Sequence, residues 1–293
     1  MEDFELMRQI TIGQYLPTGS PVHRLDPRTK ILAFGLLILA VVILPSLTGL
    51  FAGLLIVLGC VALARLPLAF ATASLRPALP ILLFLAALQL LFGWGAQGAN
   101  CPTLWSFWVF RFNTCSVLAV LSMLLRLASL ILLTGLLSMT STLSELNHGM
   151  ESLLRPFSRV GIPAHELALT FTLALRFVPT LAEELEKLLK SQAARGADIR
   201  LGSNPIQRVR HFLPVLVPLF VNTLHRGEEL AEAMEARGYT GSKGRTQYIQ
   251  LVFNRADTFA IGLVLILVAS LFLLPFATID RAFILLLTRI FVH

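Results

Sequence analysis

Hydrophobic and polar positions divide this chain into oily runs and one long charged block. Residues 31–64 pass without a single charge. A spanning helix takes about 20 mostly apolar residues, so this stretch reads as two closely spaced spans, 31–47 and 49–64, broken around Pro45 and Gly49. Residues 80–94 make a third apolar run, 115–139 a fourth with one charge inside it, and 258–279 a fifth. Residues 281–293 are apolar but too short to span alone, so the count is five spans, or six if that tail contributes one.

The pattern changes between residues 140 and 257. These 118 positions hold 14 of the 24 Lys and Arg and 12 of the 17 Asp and Glu. Thr142 and Glu145 have the spacing of a capping box. Gly161 and Pro163 end one short helix and start the next. Phe177, Leu181, Leu185 and Leu188 then fall on one helical stripe, with Glu183–Lys187 and Glu186–Lys190 as i,i+4 pairs on the other face. After a linker at 198–205, a second long helix carries Val209, Phe212, Leu213, Leu216, Phe220 and Leu224 on its apolar face. Arg208, His211, Asn222 and Arg226 lie largely elsewhere on it. Pro179 interrupts the first long helix, and Pro214 with Pro218 should bend the second or break it in two. The apolar stretch 212–224 is too short to span and suits a helix lying in the membrane interface.

Composition turns the oily runs into a fold class. The chain is 56% hydrophobic and 14% charged, against about 25% charged in soluble domains. We expect an all-α integral membrane protein: five or six transmembrane helices plus long amphipathic cytoplasmic helices, embedded in the lipid bilayer. The parts are an N-terminal arm (1–30), four spans (31–139), a cytoplasmic helical block (140–257), and a final span with its tail (258–293). The net charge of +7 speaks to topology. Arg24, Arg28 and Lys30 precede the first span and the block carries most of the remaining positive charge, which places both in the cytoplasm. Four spans return the chain to that side. Asp26 is placed to cap the first span, with Pro27 at its first position. No cleavable signal peptide is read in the first 15 residues, which are mixed polar and acidic. No basic module with interleaved aromatics points to nucleic acid.

Candidate chemistry is sparse. Cys60, Cys101 and Cys115 make no zinc spacing. Cys60 lies in an apolar run as a small packed hydrophobe, while Cys101 and Cys115 flank an outer loop where a disulfide is compatible with their placement. No GxxxxGK[ST] phosphate loop exists, so no nucleotide cofactor is expected on this chain. No HExxH, CxxC or paired acidic motif supports a catalytic or metal site; Glu183, Glu184, His148, His165, His211 and His225 stand as isolated residues. The spans hold no Asp, Glu or His, the usual groups of ion-coupled transport. Their single ionisable residue is Arg126, a possible intramembrane polar site. Its partners must be backbone carbonyls, Gln89 or another subunit. Gly49 and Gly53 form a small-xxx-small pattern suited to close helix packing.

Two tripeptides stand out: Ala194-Arg195-Gly196 and Ala236-Arg237-Gly238. Each falls where a long helix should stop, with glycine as the natural residue for a left-handed end. A cation there favours the helix dipole. Small neighbours also leave each guanidinium free to enter a partner's groove and make directional charge-assisted hydrogen bonds. Two tips suit a dimeric partner or two paralogous subunits. A secondary transporter or channel is the alternative, and a membrane enzyme ranks third.

With these motifs, the stretches 15–30, 161–168 and 175–179 complete a resemblance. The chain is similar to the transmembrane T-component of energy-coupling-factor (ECF) transporters over nearly its whole length. That resemblance implies a scaffold and energy-coupling subunit without its own active site. It implies partnership with two cytosolic ABC-type ATPases, which bind and hydrolyse the ATP, and with a small membrane substrate-binding component for a vitamin or transition metal. It also implies that the two long amphipathic helices are coupling helices. Arg195 and Arg237 would anchor the ATPases, and Pro179, Pro214 and Pro218 would mark bends. The expected location is a prokaryotic cell membrane.

Overall fold

A computed structural model describes residues 18–67, 73–92, 103–107, 110–156, 163–196, 205–241 and 253–273. Expectations for 1–17, the Cys101–Cys115 pairing, Gly161, the linker up to 204 and the tail 281–293 lie outside the described residues. The chain divides into two compact units, residues 13–149 with 251–293, and residues 150–250 with 1–12.

The first unit holds α1 (Pro27–Ile43), α2 (Leu47–Leu63), α3 (Leu79–Phe92), α4 (Thr114–Thr140) and α8 (Arg255–Leu273). These five helices fall on the five apolar runs, and the break between α1 and α2 covers Leu44, Pro45 and Ser46. α4 packs on α1, α2 and α3, and α1 packs on α8. The core between them comprises Leu37, Val41, Leu50, Val57, Leu132, Leu133 and Leu136, each at most 3% exposed. Outward positions are equally apolar: Leu83, Phe84, Phe259 and Ile266 are all more than 60% exposed. Such surfaces are costly in water and neutral in hydrocarbon. Among the described residues, α4 from Ser116 and α8 are long and apolar enough to cross a membrane; α2 and α3 are apolar but shorter. Gly49 sits in a close approach, and Gly53 in ordinary contact with α1. A Cβ on Gly49 would collide with Leu44 and Ser46, and one on Gly53 would touch Val41.

One element was absent from the sequence reading. Ahead of α4, β1 (Thr103–Phe107) and β2 (Phe110–Asn113) form an antiparallel pair in which Phe107 meets Phe110 and Trp105 meets Phe112. Its aromatic content suits a strand, but nine strand residues between two oily helices are too short a signal against the surrounding helix pattern. The all-α class stands with this hairpin as a local addition.

Between the units in sequence, α5 (Leu143–Leu154) starts with the expected capping box. The Thr142 hydroxyl accepts from Glu145 N–H at 3.2 Å and Glu145 Oε2 accepts from Thr142 N–H at 3.3 Å. The second unit contains α6 (Ala164–Ala194) and α7 (Pro205–Ala236), which pack on each other. Phe177, Leu181, Leu185 and Leu188 are half-buried, as a core-facing stripe should be. Glu186 pairs with Lys190, but the Glu183–Lys187 pair does not form. Both helices run through their prolines. Pro214 and Pro218 sit inside one unbroken helix, since two missing N–H groups in 32 residues leave enough of the ladder to hold it. On α7, Phe212, Leu213, Leu216, Phe220 and Leu224 are exposed, and among its described side chains, 212 onward, Val215 is the buried one. The expected apolar face therefore exists but is uncovered.

Candidate functional site

Both Ala-Arg-Gly tripeptides end a helix. On α6, Arg195 is the C-cap and its N–H reaches the Gln192 carbonyl at 3.1 Å; Gly196 follows at φ +80° and its N–H reaches the Ala193 carbonyl. On α7, Gly238 takes φ +77°. Its N–H reaches the Glu235 carbonyl at 2.8 Å while Tyr239 N–H reaches the Met234 carbonyl at 3.0 Å. That pair of bonds is the Schellman ending. Glycine is needed because a Cβ is disfavoured in the left-handed region. No atom lies within 4 Å of where a Cβ would sit on either glycine, so only the backbone angle selects glycine there. Arg195 and Arg237 are exposed, as are Ala194 and Ala236. Among the described residues neither arginine forms an ion pair. Each tip is thus a cation on a rigid stem, beside the partial negative charge of the helix end and flanked by small residues.

The stems meet through a polar crossing. Glu184 on α6 accepts from Asn222 Nδ2 at 2.6 Å, and its Oε2 lies 3.1 Å from Nη2 of Arg226. The second contact has ion-pair distance without hydrogen-bond alignment, since that oxygen is buried and has no aligned donor. Asn222 and Arg226, read from sequence as lying off the apolar face, do so and turn to α6. Glu184 and His165 were read as isolated; neither is. His165 Nδ1 lies 2.9 Å from Glu151 Oε1.

Arg126 finds its partner in a backbone carbonyl: Nη2 donates to Leu44 O at 2.6 Å, where α1 ends and leaves its last carbonyls unpaired. Gln89 is not that partner; its Oε1 is buried without one among the described residues. Pro179, Pro214 and Pro218 lie within α6 and α7, and no described cluster of His, Cys, Asp and Glu could hold a metal.

The sequence missed a polar knot at one face of the first unit. Lys30, read as a membrane-surface anchor, is 1% exposed. Its Nζ donates to His23 O at 2.9 Å and Thr140 O at 2.8 Å, with Glu145 Oε2 at 4.0 Å. Asp26 caps α1 as expected, accepting from Arg28 N–H. Asp257, 2% exposed, accepts from Asp26 N–H and Asn254 N–H, both at 2.8 Å. One carboxylate therefore serves the residues that begin α1 and α8. The sole sequence signal was a carboxylate three residues into a helix after an Asn cap.

Comparison with known proteins supplies the context. The profile of the CbiQ family, described as cobalt transport protein, matches residues 18–248. An energy-coupling factor transporter transmembrane protein, EcfT, of Bacillus subtilis (strain 168) is 41% identical over 271 residues, covering 92% of this chain and 99% of that one. The EcfT of Acidaminococcus fermentans is 41% identical over 266 residues, covering 89% and 94%. That of Thermanaerovibrio acidaminovorans is 41% identical over 281 residues, covering 92% and 97%.

Proposed function

Because the chain belongs to the CbiQ family and is the transmembrane component of an energy-coupling-factor transporter, we propose that α6 and α7 are its coupling helices and that Arg195 and Arg237 dock two cytosolic ABC-type ATPases. The observation that carries this reading is the pair of matched tips: two long helices of one unit, each ending in an exposed arginine followed by a glycine at positive φ. A helix dipole alone accounts for one such end. It does not call for two with small neighbours on both sides and no ion-pair partner for either charge among the described residues. In this reading ATP is bound and hydrolysed in trans, and closure of the ATPases moves the tips. The uncovered apolar face of α7, from Phe212 to Leu224, is where a small membrane substrate-binding subunit for a vitamin or transition metal rests on the coupling helices. The arm before α1 and the block 140–257 face the cytoplasm, and the apolar helices span the cell membrane.

Affinity-tagged chain purified from gently solubilised native membranes tests the docking. Wild type should bring down ATPase subunits, and Arg195→Glu with Arg237→Glu together should lose them while keeping a wild-type elution volume and melting profile. Charge reversal in a desolvated groove costs several kcal/mol, against less than about 1 kcal/mol for a dipole effect. Retention of the ATPases by the folded double variant would reduce the tips to ordinary helix ends and favour a secondary transporter or channel.

A further inference from the structure

Resting on the docking reading above, we infer that Glu184 is a positioning residue: the pivot that fixes the axial register of α6 against α7 and so the relative placement of the two arginine tips. Glu184 is eleven residues before Arg195, and Arg226 is eleven residues before Arg237. At 1.5 Å per helical residue each arm is about 16 Å long. The Glu184–Arg226 contact therefore stands equally far from both tips, while Asn222, fifteen residues before Arg237, holds Glu184 one turn further along α7. Both arms are proline-free, whereas Pro179 lies five residues before Glu184, and Pro214 and Pro218 lie eight and four residues before Asn222. Stiff arms lie on the tip side of the contact and bend-permitting segments on the other, the arrangement of a lever about its pivot.

The chemistry at the crossing suits that task. Asn222 and Arg226 are one turn apart on α7, and the Glu184 carboxylate gives one oxygen to each. Holding two successive turns opposes sliding, because a one-turn slip of about 5.4 Å would strip one donor and displace one tip against the other. The same contact tolerates a change in crossing angle, since both donors sit on flexible side chains and the Arg226 side is not yet in hydrogen-bond alignment. The Glu184 side chain is 15% exposed and that of Arg226 44%, so the carboxylate is held from the α6 side while its α7 partners stay open to solvent, and the hold comes from geometry more than from charge.

The test uses the complete transporter complex with spin labels at Ala193 and Glu235, next to the tips, in a chain whose native cysteines are replaced. Pulsed electron paramagnetic resonance reads the tip-to-tip distance, and reconstituted vesicles read substrate imported per ATP hydrolysed. Wild type should give one narrow distance. Glu184→Ala should broaden it about twofold and lower import per ATP about fivefold or more, with ATPase recovery changed less than about twofold, the scale of a coupled contact pair. Glu184→Gln, which keeps an acceptor for Asn222 without the charge, should fall between, and this isosteric change decides the matter if the alanine variant fails to fold. The exchange Glu184→Arg with Arg226→Glu should restore a narrow distance and most of the import. Unchanged distance and import ratio in Glu184→Gln and Glu184→Ala, or an exchanged pair no better than the alanine variant, would overturn the pivot. Loss of ATPases from wild type would instead strike the docking reading, and the distance comparison would still decide the role of Glu184.

Discussion

Asp257 shows how one side chain joins segments 231 positions apart in the chain. Its two oxygens satisfy two backbone N–H groups at helix starts, where four donors always lack intrahelical partners. Asp257→Leu orphans both. The buried Asp26 N–H costs about 1–3 kcal/mol when orphaned and the part-buried Asn254 N–H about 1 kcal/mol or less, and a change of 1 kcal/mol moves Tm by about 2–4 °C in a chain of this order of size. The purified protein should therefore melt lower by about 2–16 °C, and Asp257→Asn, which retains one acceptor, should lose about half as much. A thermal-unfolding series on the detergent-solubilised chain checks this; equal melting of all three would remove Asp257 from the knot. The same scale shows what was legible. Thr142 with Glu145, and Asp26 with Pro27, were readable because each motif closes within three residues. Lys30 with Thr140, Asp257 with Asp26 and Glu184 with Asn222 were not, because their partners are 110, 231 and 38 positions away. Lys30 also looked like a surface cation because basic residues before a span usually are; a buried one is betrayed only by the carbonyls that gather round it.

At the scale of elements, the apolar runs located five helices because hydrophobicity in this solvent is itself the folding signal. The helix ends of the candidate site were legible for the same local reason as the caps: glycine marks the left-handed residue. That makes the glycines testable apart from the charges. Gly238→Ala adds a Cβ with nothing to strike, so its whole cost is the left-handed backbone, about 1–2 kcal/mol. It should fray the last turn of α7 and weaken ATPase binding about five- to thirtyfold. Gly238→Asn should lose less, since asparagine tolerates that conformation. Binding of purified ATPase subunits to the reconstituted chain measures both. Equal affinity for wild type and Gly238→Ala would mean that the tip needs no fixed conformation to dock. The uncovered face of α7 was readable as apolar but not as exposed, because a hydrophobic stripe looks the same whether it faces its own chain, lipid or another subunit.

At the scale of the whole molecule, the polar knot orders the first unit. Lys30 holds the end of α4 beside the start of α1, and Asp257 brings the start of α8 there too. Helices α1 to α4 therefore return the chain to the face from which it set out. The apolar runs 31–64, 80–94, 115–139 and 258–279 contain no Asp, Glu or His, and their one cation, Arg126, is engaged with the Leu44 carbonyl. Carboxylates and histidines are what ion-coupled carriers place at membrane depth. Import by the complete complex in vesicles should then persist within about twofold when a protonophore and a sodium ionophore collapse both gradients, because no titratable group within the spans needs them. It should stop when ATP is withheld from the side that carries the coupling block. Import that survives without ATP and vanishes with the gradients would reverse the argument: the energy would enter through the spans, and the two arginine tips would have no ATPase to answer to.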